Sequence, residues 1–326
     1  MSVCEAVENG FCARAEGIGR ERGRCHQSAY NFRVLFDRIT RTLIAIRATF
    51  DVLDGSALRR RVVYSFFATP SMPNPRKPLA LAPGSTIAVV APASSAKEER
   101  IQRGCETLER LDYRVKRYAS KGGPDGYFSG ALAERRKHLQ EALARPDIRA
   151  IFCSRGGYGS TQILDGLKVG QLKQPKIFCA FSDLTSIHIF LWQKLRWVTF
   201  YGPLVAGGFD AGPNATNGYD PDTFMWAMTA TNSGWNVPLA GETLARGRAE
   251  GTLLGGCITL IETSIGTPWE LDTRGAILLL EDRGVKPYQL DRMLTHLKQA
   301  GKLEGVRGIV LGEFPDSEAP EGSDVT

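Results

Sequence analysis

Ala150-Ile151-Phe152-Cys153-Ser154-Arg155-Gly156-Gly157-Tyr158-Gly159-Ser160-Thr161 reads as a short apolar strand, a glycine-rich turn and a polar residue that opens a helix. The strand covers 150–154. The helix is expected over 160–167, with Ile163, Leu164 and Leu167 on one face at helical spacing. Glycine tolerates positive φ and lets other groups approach the backbone closely. A turn of this kind can present Ser160 at the tip of a sheet, as a nucleophile elbow does, although the order is G-G-Y-G-S rather than G-x-S-x-G. It can equally cradle an anion on the free N–H groups of the helix start. The plainest reading is a βα turn with Ser160 as N-cap. The residues alone leave all three open.

Working outward, the same alternation recurs on both sides. A buried-strand run over 86–91 leads into the loop Pro92-Ala93-Ser94-Ser95, and an amphipathic helix is expected over 97–111. An alternating strand is expected over 113–118, then a loop over 121–126 and a helix over 131–144 stopped by Pro146. After the glycine turn come a strand over 175–181, the polar step Ser182-Asp183-Leu184-Thr185, a helix over 186–194 and a short strand over 197–201. Strands alternating with helices predict an α/β fold with a mostly parallel sheet covered on both faces. Residues 206–248, rich in Gly, Asn, Ala and Pro around a helical stretch at 220–229, read as a linker between two domains. Beyond it, Gly255-Gly256 is expected to introduce a helix over 257–265. A strand is expected over 276–280 ending at Glu281-Asp282, a helix over 288–300 and a strand over 308–312. The domain expectation is therefore an α/β unit over 72–205 and a smaller β/α unit over 249–326.

The 326 residues carry 43% hydrophobic and 23% charged residues, the proportions of a globular chain, and a net charge of +6 that argues for neither a nucleic-acid nor a membrane partner. Seven cysteines at irregular spacing, with no C-x-x-C, argue against a disulfide framework or a zinc site and for a reducing compartment. No stretch approaches the roughly 18 uncharged apolar residues of a membrane span. Residues 1–71 differ in character: eleven arginines, no lysine and no signal-peptide arrangement. This leader is expected to be disordered or loosely packed and dispensable, with Met72 a natural start for the α/β region.

Polar groups stand at several strand ends: Ser94 and Ser95, Ser160, Ser182 with Asp183, and Glu281 with Asp282. Sites in open α/β sheets gather at those ends. Each also has a plainer role, Ser182 or Asp183 as a helix cap and Glu281 and Asp282 as solvated loop acids. From about Leu79 to Phe314 the sequence resembles the LD-carboxypeptidase family, the murein tetrapeptide carboxypeptidases and related microcin-immunity peptidases. The resemblance rests on blocks in the family's order: 83–92 (PGSTIAVVAP), 154–160 (SRGGYGS), 181–185 (FSDLT), 201–203 (YGP), 251–256 (GTLLGG), and 280–282 (LED) with 287–294 (PYQLDRML) after it. It implies a flavodoxin-like, class I amidotransferase-like N-terminal domain and a smaller swivelling C-terminal domain. It implies a cytoplasmic serine peptidase, a homodimer without metal or cofactor, that removes the terminal D-alanine of a muropeptide tetrapeptide in cell-wall recycling. Ser160 is then the nucleophile and Glu281 the acid of a Ser-Glu-His triad, N–H groups near Gly157 and Thr161 hold the oxyanion, and Ser94, Ser182 and Asp183 contact substrate.

The departures are specific. The family histidine belongs to a Gly-His block beyond residue 326, so the chain is expected to be C-terminally incomplete and nearly inactive as it stands. His26, His138, His188 and His296 match no triad position. Cys257 stands where the family usually has Asn, Ala180 where it has Gly, and Val285 where it often has Glu. The alternatives are a microcin-immunity-like hydrolase, a non-catalytic muropeptide-binding protein, and a nucleotide or phosphate binder that would not depend on Glu281.

Overall fold

The computed structural model describes residues 74–118, 126–230 and 241–319. The leader lies outside the described residues. The first sheet holds β1 (Thr86–Val90), β2 (Arg114–Arg117), β3 (Ile148–Cys153), β4 (Ile177–Ala180) and β5 (Phe200–Tyr201) in the order β2-β1-β3-β4-β5. Every pairing is parallel. This is the flavodoxin-like order, whose switch point lies between β1 and β3. The connecting helices are α1 (Glu98–Arg110), α2 (Leu132–Ala144), α3 (Thr161–Leu164), which is much shorter than expected, and α4 (Thr185–Leu195).

The strands read as continuous apolar runs because both faces of the sheet are covered. Ile87, Val89, Ala150, Phe152, Ile177 and Cys179 point to one side, against Cys105 and Leu108 of α1. Ala88, Val90, Ile151, Cys153, Phe178 and Ala180 point to the other, against Leu139 and Leu143 of α2 and Ile187 and Leu191 of α4. The stretch expected to be a linker contributes to the first of these cores. Its helix α5 (Pro221–Thr229) is capped by Asp220, whose side chain accepts the Thr223 N–H at 2.8 Å, and begins with a proline at its first position. Phe224 and Met228 of α5, with Phe209 before it, are buried beside Phe152, and the rings of Phe152 and Phe209 meet edge to face at 5.4 Å. Residues 206–230 thus pack as part of the first unit, because their aromatic residues outweigh the Gly and Asn content that suggested a crossing.

A second, three-stranded sheet holds β6 (Thr252–Cys257), β7 (Ala276–Glu281) and β8 (Gly308–Leu311) in the order β6-β7-β8, again all parallel. The helices α6 (Ile258–Glu262) and α7 (Pro287–Gln299) connect its strands. The expected helix over 257–265 is therefore shorter and is preceded by a strand. The sheets are separate, yet one core runs between the units: Ile258, Ile261, Leu278 and Leu280 share it with Leu184, Ile187 and Leu191. Packing α6 against α4 in this way brings the end of β7 up to the ends of β4 and β5. Among the described residues no helix is long and apolar enough to cross a membrane.

Candidate active site

Three segments meet at the carboxyl end of the first sheet: the loop after β1, the glycine turn after β3 and the step between β4 and α4. That step begins extended at Phe181 (φ −148°, ψ −177°) and reverses at Ser182, whose φ is +66°. A left-handed non-glycine residue between a strand and a helix is strained, and such strain is held in place where a serine must stand clear of the sheet at a nucleophile elbow. The glycine turn passes directly over Ser182. A Cβ placed on Gly156 would lie 3.1 Å from both the Cβ and the Oγ of Ser182 and 3.5 Å from the Asp183 nitrogen, a tight contact that would crowd the Ser182 hydroxyl. Ser94 fixes that approach. It is buried, and both its N–H (3.2 Å) and its Oγ (2.6 Å) donate to the Gly156 carbonyl.

Ser160 corrects the first expectation. It is fully buried, its Oγ donates to the Asp183 carbonyl at 2.6 Å and lies 2.5 Å from Ser186 Oγ, and its N–H donates to Asp183 Oδ2 at 2.9 Å. A hydroxyl enclosed in this way is a structural group, not one presented to a substrate. The glycine turn does cradle an anion, but the anion is the protein's own. The Asp183 carboxylate accepts the N–H groups of both Gly159 and Ser160. Burial pushes its carboxyl up, against the pull of those hydrogen bonds and of Arg135. Arg135, itself buried on α2, donates to the carbonyls of Pro92 (2.8 Å) and Gly159 (2.9 Å) and to Gln162 Oε1 (2.7 Å). The turn is thereby clamped from both sides.

The other expected residues divide. Ser94 and Asp183 lie at the site but point into the protein, where they shape the backbone around Ser182 rather than face a ligand. Gly157, at φ +92°, sits beside Ser94 on the same side of the turn as Gly156. Thr161 begins α3 behind the turn, one residue past the enclosed Ser160. Glu281 ends β7 and is buried, and its Oε1 accepts the Tyr201 hydroxyl at 2.5 Å. Burial pushes its pKa up to about 7; the Tyr201 hydrogen bond pulls it down and the neighbouring Asp282 pushes it further up. Tyr201 opens the YGP block, and nothing in the sequence assigns it a role. Its hydroxyl also accepts the Ser182 N–H at 2.9 Å, so one phenol joins the strained serine to the acid of the other unit.

Beside Glu281, Cys257 donates its thiol to Asp282 Oδ2 at 3.3 Å, and the same oxygen accepts the Thr259 hydroxyl at 2.6 Å. Burial, with Asp282 and Glu281 nearby, holds that thiol well above the ordinary range. The described histidines stand elsewhere. His188 is buried with Nδ1 on Thr199 and Nε2 on the Ala180 carbonyl, and burial pulls its pKa down to about 4. His138 packs on Tyr118, and His296 pairs with Glu262. Among the described residues no group of three or more His, Cys, Asp or Glu side chains is arranged to hold a metal ion.

The family patterns for the LD-carboxypeptidase N-terminal and C-terminal domains match residues 87–202 and 250–326. The chain belongs to the LD-carboxypeptidase family. Within it, this chain is 35% identical over 240 residues to a probable murein peptide carboxypeptidase of Bacillus subtilis (strain 168), covering 73% of this chain and 75% of that one. It is 30% identical over 244 residues to the murein tetrapeptide carboxypeptidase of Pseudomonas aeruginosa, covering 72% and 78%. Among solved structures, the muramoyltetrapeptide carboxypeptidase from Oxalobacter formigenes superposes with a TM-score of 0.62 at 29% identity, covering 74% of this chain and 81% of that one. The microcin-immunity protein MccF in complex with glutamyl sulfamoyl guanosine superposes with a TM-score of 0.66 at 25% identity, covering 76% and 82%. This LD-carboxypeptidase chain therefore has the family fold, and its two matched regions are the units that meet at Ser182 and Glu281.

Proposed function

We propose that this chain is a serine-type carboxypeptidase acting on murein peptides, with Ser182 rather than Ser160 as its nucleophile. The observation that carries this reading is the left-handed Ser182 at the β4–α4 step, its hydroxyl under Gly156 and its N–H linked through Tyr201 to Glu281. Ser182 Oγ attacks the carbonyl of the C-terminal amide and its proton passes to a base. The tetrahedral oxyanion that forms is met by the backbone N–H of Asp183, the residue after the nucleophile, and by the N–H groups of the turn at Gly156 and Gly157. The same proton is returned to the leaving amine, and a water then hydrolyses the acyl-serine. Glu281 is the acid that orients the base and stabilises its charged form. The base is an imidazole supplied from outside the described residues, since each described histidine is engaged elsewhere.

The terminal D-alanine of a muropeptide tetrapeptide is the proposed leaving group, because relatives at 30% and 35% identity are named for murein peptides. The named microcin-immunity relative is 27% identical, which makes a microcin-type substrate the second reading. Cys105, Cys153, Cys179 and Cys257 are all buried free thiols, which suits a reducing interior and supports a cytoplasmic recycling role. Incubation with a synthetic muramoyl tetrapeptide, with and without added imidazole as a diffusible base, tests the reading. Release of D-alanine that depends on Ser182 is expected. Tight binding of the tetrapeptide with no release under either condition would favour a non-catalytic muropeptide-binding protein.

A further inference from the structure

The strained Ser182 peptide is held by two hydroxyls, each anchored in the second unit. Its N–H donates to the Tyr201 oxygen at 2.9 Å, and its carbonyl accepts the Thr185 hydroxyl at 2.7 Å. The Tyr201 proton goes to Glu281 Oε1 at 2.5 Å, and Thr185 Oγ1 accepts the Cys257 N–H at 3.1 Å. Each hydroxyl therefore donates on one side of the seam and accepts on the other, and Ser182 keeps no backbone group free to relax. Gly256 allows this close approach: a Cβ there would fall 2.7 Å from the Tyr201 ring and 2.8 Å from Thr185 Oγ1.

We propose that Tyr201 is a positioning residue that couples the ionisation of Glu281 to the geometry of the Ser182 elbow across the seam between the two units. An ionised Glu281 fixes the phenol proton on itself, which orients a lone pair of the same oxygen towards the Ser182 N–H. A protonated Glu281 holds the phenol proton less strongly and can itself donate to the phenol oxygen, so the Ser182 N–H no longer faces a fixed lone pair. The proposal rests on the reading of Ser182 and Glu281 as the active pair. The ionisable groups that face Glu281 are Tyr201 from β5, Asp282 next in the chain and Cys257 from β6. Tyr201 is the one of these that donates a hydrogen bond to its carboxylate.

The test needs no turnover, so its outcome is independent of whether the chain hydrolyses a murein peptide. The Glu281 carboxyl is titrated by NMR in chain labelled with carboxyl-13C glutamate and assigned by its loss in Glu281→Gln. Exchange of the Ser182 amide is followed at fixed pH with Phe152 as a remote core reference. In Tyr201→Phe the ring remains but the donor is gone. The Glu281 midpoint should rise by roughly one pH unit, the scale of a hydrogen bond to a charged group. The Ser182 amide should exchange at least about tenfold faster, the factor for one such unit, with Phe152 unchanged. Glu281→Gln probes the same tie from its far end: its uncharged amide holds the phenol proton more weakly than the carboxylate does, so it should also speed Ser182 exchange, although Ser182 hydrogen-bonds to Tyr201 and not to Glu281. A Tyr201→Phe chain with both the midpoint and Ser182 exchange unchanged would overturn the proposal. So would a Glu281→Gln chain with Ser182 exchange unchanged, or equal acceleration at Ser182 and Phe152 in either variant.

Discussion

Replacing Glu281 by Gln should change how the stability of this protein depends on pH, in a direction fixed by burial. Glu281 is pushed from its ordinary 4.5 up to about 7, chiefly by burial. A carboxyl whose folded pKa is raised binds its proton more tightly in the native state than in the unfolded one. Its contribution is therefore complete below the unfolded value and lost as pH rises through about 7. The displacement of about 2.5 pH units corresponds to about 3 kcal/mol, of which roughly 2–3 kcal/mol falls between pH 5 and pH 8. His188 acts in the opposite sense. Its pKa is pulled from 6.5 down to about 4 by burial, so the unfolded chain takes up the proton first and stability rises with pH through that window. That gain is roughly 2 kcal/mol between pH 5 and pH 8. The two nearly cancel in the wild-type chain. In Glu281→Gln the amide offers Tyr201 only a weaker, uncharged acceptor and no longer titrates, so the His188 rise stands alone. Urea unfolding of both chains at pH 5, 6, 7 and 8 measures the difference, in which His188 and all other shared groups drop out. The wild-type stability minus that of the variant should fall by roughly 2–3 kcal/mol across the series. A difference that is flat with pH would refute the burial of Glu281 and the seam built around it.

Gly157→Ala should destabilise the chain by several kcal/mol in urea unfolding, of the order of 2–4 kcal/mol, because its φ is +92° and the new Cβ would fall 2.4 Å from Ser94 Oγ. Gly156→Ala, where the backbone is not left-handed, should leave the urea midpoint nearly unchanged while blocking substrate at Ser182, read as loss of tetrapeptide binding by calorimetry. Asp183→Ala should cost about 3–5 kcal/mol, since it strands the buried N–H groups of Gly159 and Ser160 and the charge of Arg135, whereas Asp183→Asn, which keeps an acceptor oxygen, should cost less in the same urea titration. Phe152→Ala should lower stability by about 3–5 kcal/mol through the cavity left beside Phe209 and Phe224.

The first sheet, and β7 of the second, were legible because strands buried on both faces leave uninterrupted apolar runs. The runs at 86–91, 150–154 and 276–280 each became a strand within a residue or two at either end. The β6 strand was not legible, because Gly255 and Gly256, both at φ near +130°, read as a helix start although they continue the pairing with β7. The linker expectation weighed glycine and asparagine over the buried Phe209, Tyr219 and Phe224, whose partners lie on distant strands. The sequence reading centred the site on Ser160, which the structure encloses, whereas the proposed nucleophile is Ser182. Ser160 and Ser182 both come after a buried strand and open a helix, and composition cannot rank them. What separates them is the backbone reversal at Ser182 and the enclosure of Ser160 by Asp183 and Ser186. Both depend on how two loops pack together, and the glycines that drew attention to Ser160 serve that packing.

The nucleophile assignment is the central claim, and the position of a covalent mark tests it most directly. The full chain is treated with a fluorophosphonate in the presence of imidazole as a diffusible base, digested, and the modified serine located by mass spectrometry. The account predicts the mark on Ser182, lost in Ser182→Ala and retained in Ser160→Ala. A mark on Ser160 that survives Ser182→Ala would contradict it.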